Sequence, residues 1–262
     1  MGVGSGYNES LRGEKEVIIT EDGSVTLYSK EFNQAYHSTK DGALRESLQK
    51  HVIPAFALQN PKEQLTILDI CFGLGYNTLA TLYYVKSKHL DTKIHILSPE
   101  FDRELVESLA TFEYPKAFDT LQPIICELSE NFYYEDAQFK IEVLLGDARE
   151  VIPQILEKID IVYQDAFSPK QNPLLWTREY FRDIRAICSD DAVITTYSTA
   201  IATRMGLHEN GFELFLYCGE DARCSTIASP KRIEGLEYVD MELKKARNKE
   251  ARSLRDADYT AI

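Results

Sequence analysis

No apolar run in this 262-residue chain approaches the roughly 18 residues a membrane-spanning helix needs. The opening MGVGSGYNES also lacks the apolar stretch of a secretory signal. The chain is therefore expected to be soluble and cytoplasmic, with no membrane partner. Cysteine is sparse: Cys71, Cys126, Cys188, Cys218 and Cys224 form an odd set without a C-x-x-C pair. That pattern supports neither a disulfide framework nor a zinc knuckle, and reduced packing cysteines are expected. Nor do His51, His89, His95 and His208 cluster with metal-ligand spacing, so no metal is expected. Positive charge is in deficit, with 29 Lys and Arg against 42 Asp and Glu and a net charge of -13. A wide surface for gripping nucleic acid is thereby disfavoured, because phosphate binding rests on Lys and Arg, and a local basic patch stays open. Such a patch would concentrate in 231–262, where 8 basic residues meet 7 acidic ones. The same tail also reads as a solvated helix with paired charges.

What is present suffices for a sizeable core, 44% of residues being hydrophobic and 11% aromatic. The Gly-rich stretch 1–13 is expected to be mobile. VIITEDGSVTLY, residues 17–28, places two β-rich runs around Asp22-Gly23 and predicts a hairpin. Asp41 can then cap a helix with Leu44, Leu48 and Val52 on one face, stopping near Pro54. Residues 1–64 thus form a hairpin-plus-helix appendage. From Leu65 to 230, strand-like and helix-like segments alternate, which predicts an α/β, Rossmann-like fold. Its mostly parallel sheet has seven strands, near 65–70, 93–98, 139–145, 159–164, 191–197, 212–218 and 224–229, the last two forming an antiparallel hairpin. Helices are expected near 75–88, 102–111, 148–156, 173–188 and 199–210. Residues 112–138 are an aromatic-rich insertion that either covers the site or extends the core. The final segment 231–262 is expected to be a charged, helical and detached tail.

Ligands of open α/β sheets bind at the carboxyl ends of the strands. The first strand runs into TILDICFGLGYNT, Thr66 to Thr78, where Asp69 precedes Gly73 and Gly75 and a helix begins. Those glycines let backbone approach a ligand at a helix N-terminus, and Thr78 breaks the dinucleotide pattern G-x-G-x-x-G. The spacing suits a nucleoside carrying an amino acid. Glu100, ending the second strand, can accept from both ribose hydroxyls, and Asp147, ending the third, from an adenine amino group. Three acids at consecutive strand ends point to S-adenosylmethionine (SAM). The fourth strand ends in QDAFSPKQNPLLW. There Asp165 sits where a methyl acceptor is presented, Pro169 and Pro173 stiffen the loop, and Phe167 and Trp176 offer stacking surfaces. A carboxylate beside an acceptor amine can orient it and accept its proton. Tyr36, His37 and Tyr197 are candidates for a supporting shell.

DAFSPKQNPLLW resembles the D-x-F-x-P-x-x-N-P-x-x-W segment of the MnmC-type tRNA methyltransferases, which methylate the aminomethyl group of 5-aminomethyl-2-thiouridine at the wobble position. DGSVTLYSKEFNQAYHS with GALRES, LDICFGLGYNT and TYSTAIATRMGLHENGF resemble further parts of that family, over roughly residues 17–229. The resemblance implies that Asp69, Gly73, Gly75, Asn77, Glu100, Asp147 and Ala148 hold SAM and that Asp165 and Phe167 face the acceptor. It further implies tRNA as partner, with Tyr36, His37, Pro169, Trp176, Tyr197 and Arg223 on the substrate side. Bifunctional members add a flavin-dependent oxidase domain, for which this chain is too short, so a separate enzyme is expected to supply the free amine. Two departures stand out. Cys71 occupies a place where the family often has its first glycine, and CGEDARCSTIAS keeps only Arg223 of a Lys-Arg pair. Two other readings stay open: a small-amine transferase such as an aminopropyltransferase of the spermidine-synthase kind, and an inactive binding protein on the same fold.

Overall fold

The computed structural model describes residues 15–219 and 223–259. The stretch 1–13, expected to be mobile, lies outside the described residues, as do Glu220 and Asp221 of the last turn. Strands β1 (Lys15–Ile19) and β2 (Val25–Ser29) pair antiparallel around the Asp22-Gly23 turn, and β3 (Gln34–Ala35) adds to β2. In that turn the Asp22 carboxylate accepts from the Thr20 hydroxyl and the Ser24 N–H, which closes the hairpin.

The helix that follows, α1, is built of Ala43–Glu46, a π turn Ser47–Val52, and Ile53–Leu58. It begins at Gly42 and runs through Pro54 where a stop was expected. A proline ring inside an α-helix clashes with the carbonyl four residues back. The wider turn before it, in which Ile53 N–H reaches back to Leu48 O, removes that conflict. It also aims His51, fully buried, and Lys50 across the molecule.

Among the described residues the main sheet has nine strands. The seven expected are β4 (Gln64–Ile70), β5 (Lys93–Glu100), β7 (Phe139–Leu145), β8 (Ile159–Gln164), β9 (Cys188–Thr196), β10 (Glu213–Tyr217) and β11 (Ser225–Ser229). Two short strands, β6 (Tyr133–Glu135) and β12 (Glu237–Tyr238), cover the two edges, giving the order β12-β10-β11-β9-β8-β4-β5-β7-β6. The five strands β7, β5, β4, β8 and β9 run parallel. Their Val- and Ile-rich centres are buried on both faces, as parallel strands under helices must be. Chain order reverses between β4 and its two neighbours β5 and β8, the place where a crevice opens at the carboxyl ends.

Helix α2 (Tyr76–Ser87) follows the glycine turn; α3 is Arg103–Glu107 and α4, within the insertion, is Gln122–Asn131. Phe118, Leu121, Ile124, Ile125 and Leu128 bury themselves in one core cluster, so 112–138 extends the core. It meets the site through the Tyr114 hydroxyl, which donates to Leu74 O, and through Tyr114 and Phe118, whose rings pack against Tyr76. Helix α5 is Ala148–Val151, α6 is Arg178–Ile187, and α7 is Ile201–His208. Helix α6 starts later than expected because Pro173–Trp176 forms a separate 3-10 turn and Thr177 caps the helix through Tyr180 N–H.

Beyond Lys231, among the described residues, α8 (Met241–Arg247) and a 3-10 turn at Asp256–Asp258 are helical, and the segment is attached, contrary to the expectation of a detached tail. Leu254 bridges Thr177, Arg255 pairs with Glu179 at 2.7 Å, and Asp256 forms a two-point ion pair with Arg149. Cys218 and Cys224 form a disulfide, which corrects the expectation of five reduced thiols. They flank the turn of the β10–β11 hairpin one step beyond the Tyr217–Ser225 cross-strand pair, so the hairpin itself brings them together. Cys71, Cys126 and Cys188 are free. Among the described residues no helix is long and apolar enough to cross a membrane.

Candidate active site

A cavity of about 610 Å³ opens at the carboxyl ends of β4, β5, β7 and β8. That lies within the range of small-molecule sites. Its floor is the glycine turn. Gly73 and Gly75 have φ of 55° and 71°, a region open to glycine at no steric cost. A Cβ on Gly75 would stand 3.0 Å from the Phe72 ring.

Cys71 shares the left-handed region with φ 65°, although it carries a side chain. Such a residue costs roughly 1–2 kcal/mol. Its thiol is pushed well up by burial and by the neighbouring Glu100, Asp165, Asp69 and Asp147 carboxylates, which leaves it protonated and unreactive. Cys71→Gly should therefore stabilise the protein by about 1 kcal/mol, partly offset by glycine's greater freedom when unfolded. Thermal unfolding checks this as a rise of about 2 °C, and a fall would show that the thiol's packing outweighs the strain.

Three acids surround the turn. Glu100 holds it in place, Oε2 accepting from Gly73 N–H at 2.7 Å and Oε1 from Asp102 N–H at 2.7 Å. Burial pushes this carboxyl up, and the backbone donors partly offset the shift. Asp147 caps α5 through Arg149 N–H at 2.9 Å. Asp69 lies beneath the floor, almost fully buried, and accepts from the Thr78 hydroxyl at 2.8 Å and from Asn77 Nδ2 at 3.4 Å. Burial pushes it up to about 7. Asn77 Nδ2 also donates to Asp165 Oδ2 at 2.8 Å, so one amide ties the end of β4 to the end of β8. Its Oδ1 is buried and without a hydrogen-bond partner among the described residues. An orphaned acceptor beside a helix N-terminus, with acids around it, fits a ligand that brings N–H donors and positive charge.

Asp165 faces the cavity from the β8 end. His51 Nε2 approaches its Oδ1 to 3.3 Å, close enough for an ion pair but not aligned as a hydrogen bond. His51 Nδ1 is anchored on the Thr195 hydroxyl at 2.9 Å. Burial alone would depress the imidazole; the Asp165 carboxylate outweighs it and moves His51 up. Conversely, burial would raise Asp165, and His51 with Asn77 holds it below the usual carboxylate range. The directions agree on an imidazolium-carboxylate pair. His37 is different: burial drives it down to about 4, so it is neutral, with Nδ1 against the Thr26 hydroxyl at 2.9 Å.

An aromatic wall completes the mouth. Phe167 stacks on Phe32 with centroids 4.6 Å apart and meets Tyr36 edge-on at 5.0 Å. Of the sequence candidates, Tyr36, His37, Gly73, Asn77, Glu100, Asp147, Ala148, Asp165, Phe167 and Tyr197 line this one cavity. Five do not. Asp69 and Gly75 support it from behind. Trp176, fully buried, is a core residue whose Nε1 donates to Phe167 O at 2.8 Å, shaping the loop rather than offering a stacking face. Pro169 does not line the cavity, and neither does Arg223, exposed at the end of the β10–β11 hairpin, where its carbonyl accepts from Lys50. Sequence reading missed Glu46, His51 and Phe32. Nothing in an amphipathic helix pattern marks the first two, whereas Phe32 lies within the quoted YSKEFNQAYHS segment.

Comparison with known proteins gives a consistent picture. A profile of S-adenosyl-L-methionine-dependent methyltransferases matches residues 113–217. The chain is 32% identical over 210 residues to an uncharacterized protein of Methanocaldococcus jannaschii, covering 78% of this chain and 56% of that one. It is 30% identical over 211 residues to the tRNA 5-methylaminomethyl-2-thiouridine biosynthesis bifunctional protein MnmC of Azoarcus, covering 75% of this chain and 32% of that one. The chain thus spans about half of the first relative's length and a third of the second's. The crystal structure of MNMC2 from Aquifex aeolicus superposes with a TM-score of 0.79 at 30% identity, over 93% of this chain and 79% of that one. A probable spermidine synthase from Corynebacterium glutamicum shares the fold, at 13% identity and TM-score 0.53 over 92% of each chain.

Proposed function

We propose, from the premise that this chain belongs to the MnmC-type family of SAM-dependent methyltransferases, that its acceptor is the aminomethyl group of 5-aminomethyl-2-thiouridine at the tRNA wobble position. The observation that carries the acceptor reading is Asp165, a carboxylate held ionised by His51 and Asn77 at the inner end of a cavity with an aromatic mouth. A carboxylate of that kind selects a cationic or hydrogen-bonding amine. Phe32, Tyr36 and Phe167 give a nucleobase rings to lie against on the way in.

When bound, SAM supplies an electrophilic methyl group. Glu100 and Asp147, which line the cavity, would accept from its ribose and adenine, the backbone of the glycine turn would receive its carboxylate, and the unpartnered Asn77 Oδ1 would accept from its ammonium. Little covalent chemistry is left for the protein, so the rate comes from holding an amine nitrogen in line with that methyl group. The Phe32–Phe167 stack gives the mouth an apolar rim beside which an acceptor base could lie.

Incubation of the purified protein with SAM and tRNA from a strain lacking the modification should yield 5-methylaminomethyl-2-thiouridine, read by nucleoside mass spectrometry. The acid-rich lining and the -13 net charge favour a second reading, a small diamine as acceptor. Turnover of putrescine with decarboxylated SAM, and none of tRNA with SAM, would establish that reading in place of the first.

A further inference from the structure

The cavity holds a second carboxylate that the reading above leaves unused. Glu46 ends the first piece of α1, immediately before the π turn, and its side chain forms part of the wall opposite the glycine floor. Ser38 N–H donates to its Oε2 at 2.6 Å, and among the described residues no donor reaches Oε1. Asp165, by contrast, has both oxygens engaged, Oδ2 by Asn77 and Oδ1 by the His51 contact. One acid stays ionised with both oxygens occupied; the other lines the cavity with an open oxygen.

We propose that Glu46 is the group that takes the proton from the acceptor amine, while Asp165 orients that amine without deprotonating it. The inference rests on the amine-methyltransferase reading. An aliphatic amine arrives as an ammonium ion with no lone pair, and a carboxylate held strongly ionised keeps it so. Burial and the nearby Asp165 charge push Glu46 up to about 7, whereas Asp165 is held low. Two carboxylates whose surroundings drive them apart in this way divide the roles of base and anchor. A base poised near ambient pH is also the most effective one.

Glu46 takes one N–H proton and becomes neutral. The freed nitrogen lone pair forms the N–C bond as the methyl–sulfur bond breaks, its electron pair passing to sulfur, which becomes a neutral thioether. The product leaves as a secondary ammonium, and Glu46 returns its proton to water through the cavity mouth. The charged or titratable groups facing Glu46 are Asp41, Lys50, His51 and His37 from its own side, and Asp165 and Tyr197 from the strand ends. Asp69, beneath the floor, titrates in the same range, so only substitution of Glu46 itself isolates its contribution.

The test uses Glu46→Gln beside the wild type. Sinefungin, a SAM analogue with a primary amine where the methyl group sits, should bind the wild type more tightly at pH 8 than at pH 6 by calorimetry. The variant should lose that pH response and keep its affinity for SAM. In single turnovers on tRNA, Glu46→Gln should slow transfer by about 10²-fold and remove the acidic limb near pH 7. Glu46→Asp should restore part of both. The proposal is overturned if the variant keeps the wild-type pH response to sinefungin, or if it stops binding SAM, which would make Glu46 a structural residue. Failure of the wild type to methylate tRNA would instead sink the substrate reading, and the sinefungin measurement would still decide the role of Glu46.

Discussion

Asp165→Asn is expected to lower methyl transfer by about 10³-fold while SAM affinity stays within about threefold. The isosteric amide fills the same space and can still meet Asn77, so the floor of the site keeps its shape. What disappears is the negative charge that holds the acceptor nitrogen in line and sustains the His51 imidazolium. Alanine is a poorer test, because stripping one member of a buried ion pair costs about 3–5 kcal/mol of stability and confounds the reading. A pH signature accompanies the loss. A histidine whose folded pKa is raised contributes stability that is fully present below its unfolded value and is lost as pH rises through the folded one. The wild type should show that decline from His51 as pH rises above its ordinary value of 6.5, and Asp165→Asn should reduce it sharply, because only the Glu46 and Asp69 carboxylates then oppose burial at the imidazole. Full activity in Asp165→Asn would remove this residue from the acceptor site.

The second large effect belongs to Asp69. Its folded pKa of about 7 stands well above the ordinary value of 3.8, because burial penalises the charge. In the unfolded chain the carboxyl ionises near its ordinary value, so the contribution of Asp69 to stability is complete below about pH 4 and is lost progressively up to about pH 7. At 1.36 kcal/mol per unit the loss amounts to a few kcal/mol. Acids held low by their partners, Asp165, Glu142 and Asp191 among them, pull in the opposite direction. The quantity to measure is therefore the difference between wild type and Asp69→Asn. Urea unfolding at pH 5 and pH 8 should show the wild type losing stability relative to the variant as pH rises. Parallel curves would mean that Asp69 is ionised in the folded protein.

Much of this site was legible in the sequence because it lies at the ends of strands. A run such as LTILDI can only be a strand buried on both faces, so the acid and glycines that follow it must stand at the sheet's carboxyl edge, and the same reasoning places Glu100, Asp147 and Asp165. The wall contributed by α1 was not legible. Glu46 lines the cavity from the first piece of α1, and His51, on the π turn whose extra residue shifts the helical register, stands fully buried behind it against Asp165, joined to Thr195 across 144 residues of sequence. No local periodicity reports such a contact. Trp176 looked like a stacking surface because it is an aromatic on a proline-stiffened loop at a strand end; its ring instead lies in the core and its N–H donates to the loop backbone. The disulfide was legible in principle: Cys218 and Cys224 are symmetric about a predicted hairpin turn, a cue that the odd total of five obscured.

Helix α1 has one further consequence, which concerns how the protein forms. The cofactor floor is made almost entirely from near neighbours in the chain, β4, its turn and α2, which can assemble early and locally. The acceptor wall is not, since His51 meets Asp165 and Thr195 only after β8 and β9 have docked on β4. Contacts of such long sequence separation require longer chain closures, each costing more entropy. The amine wall therefore asks more of the chain's topology than the cofactor floor does, and it is the half of the site most exposed to any change that loosens the docking of β8 and β9.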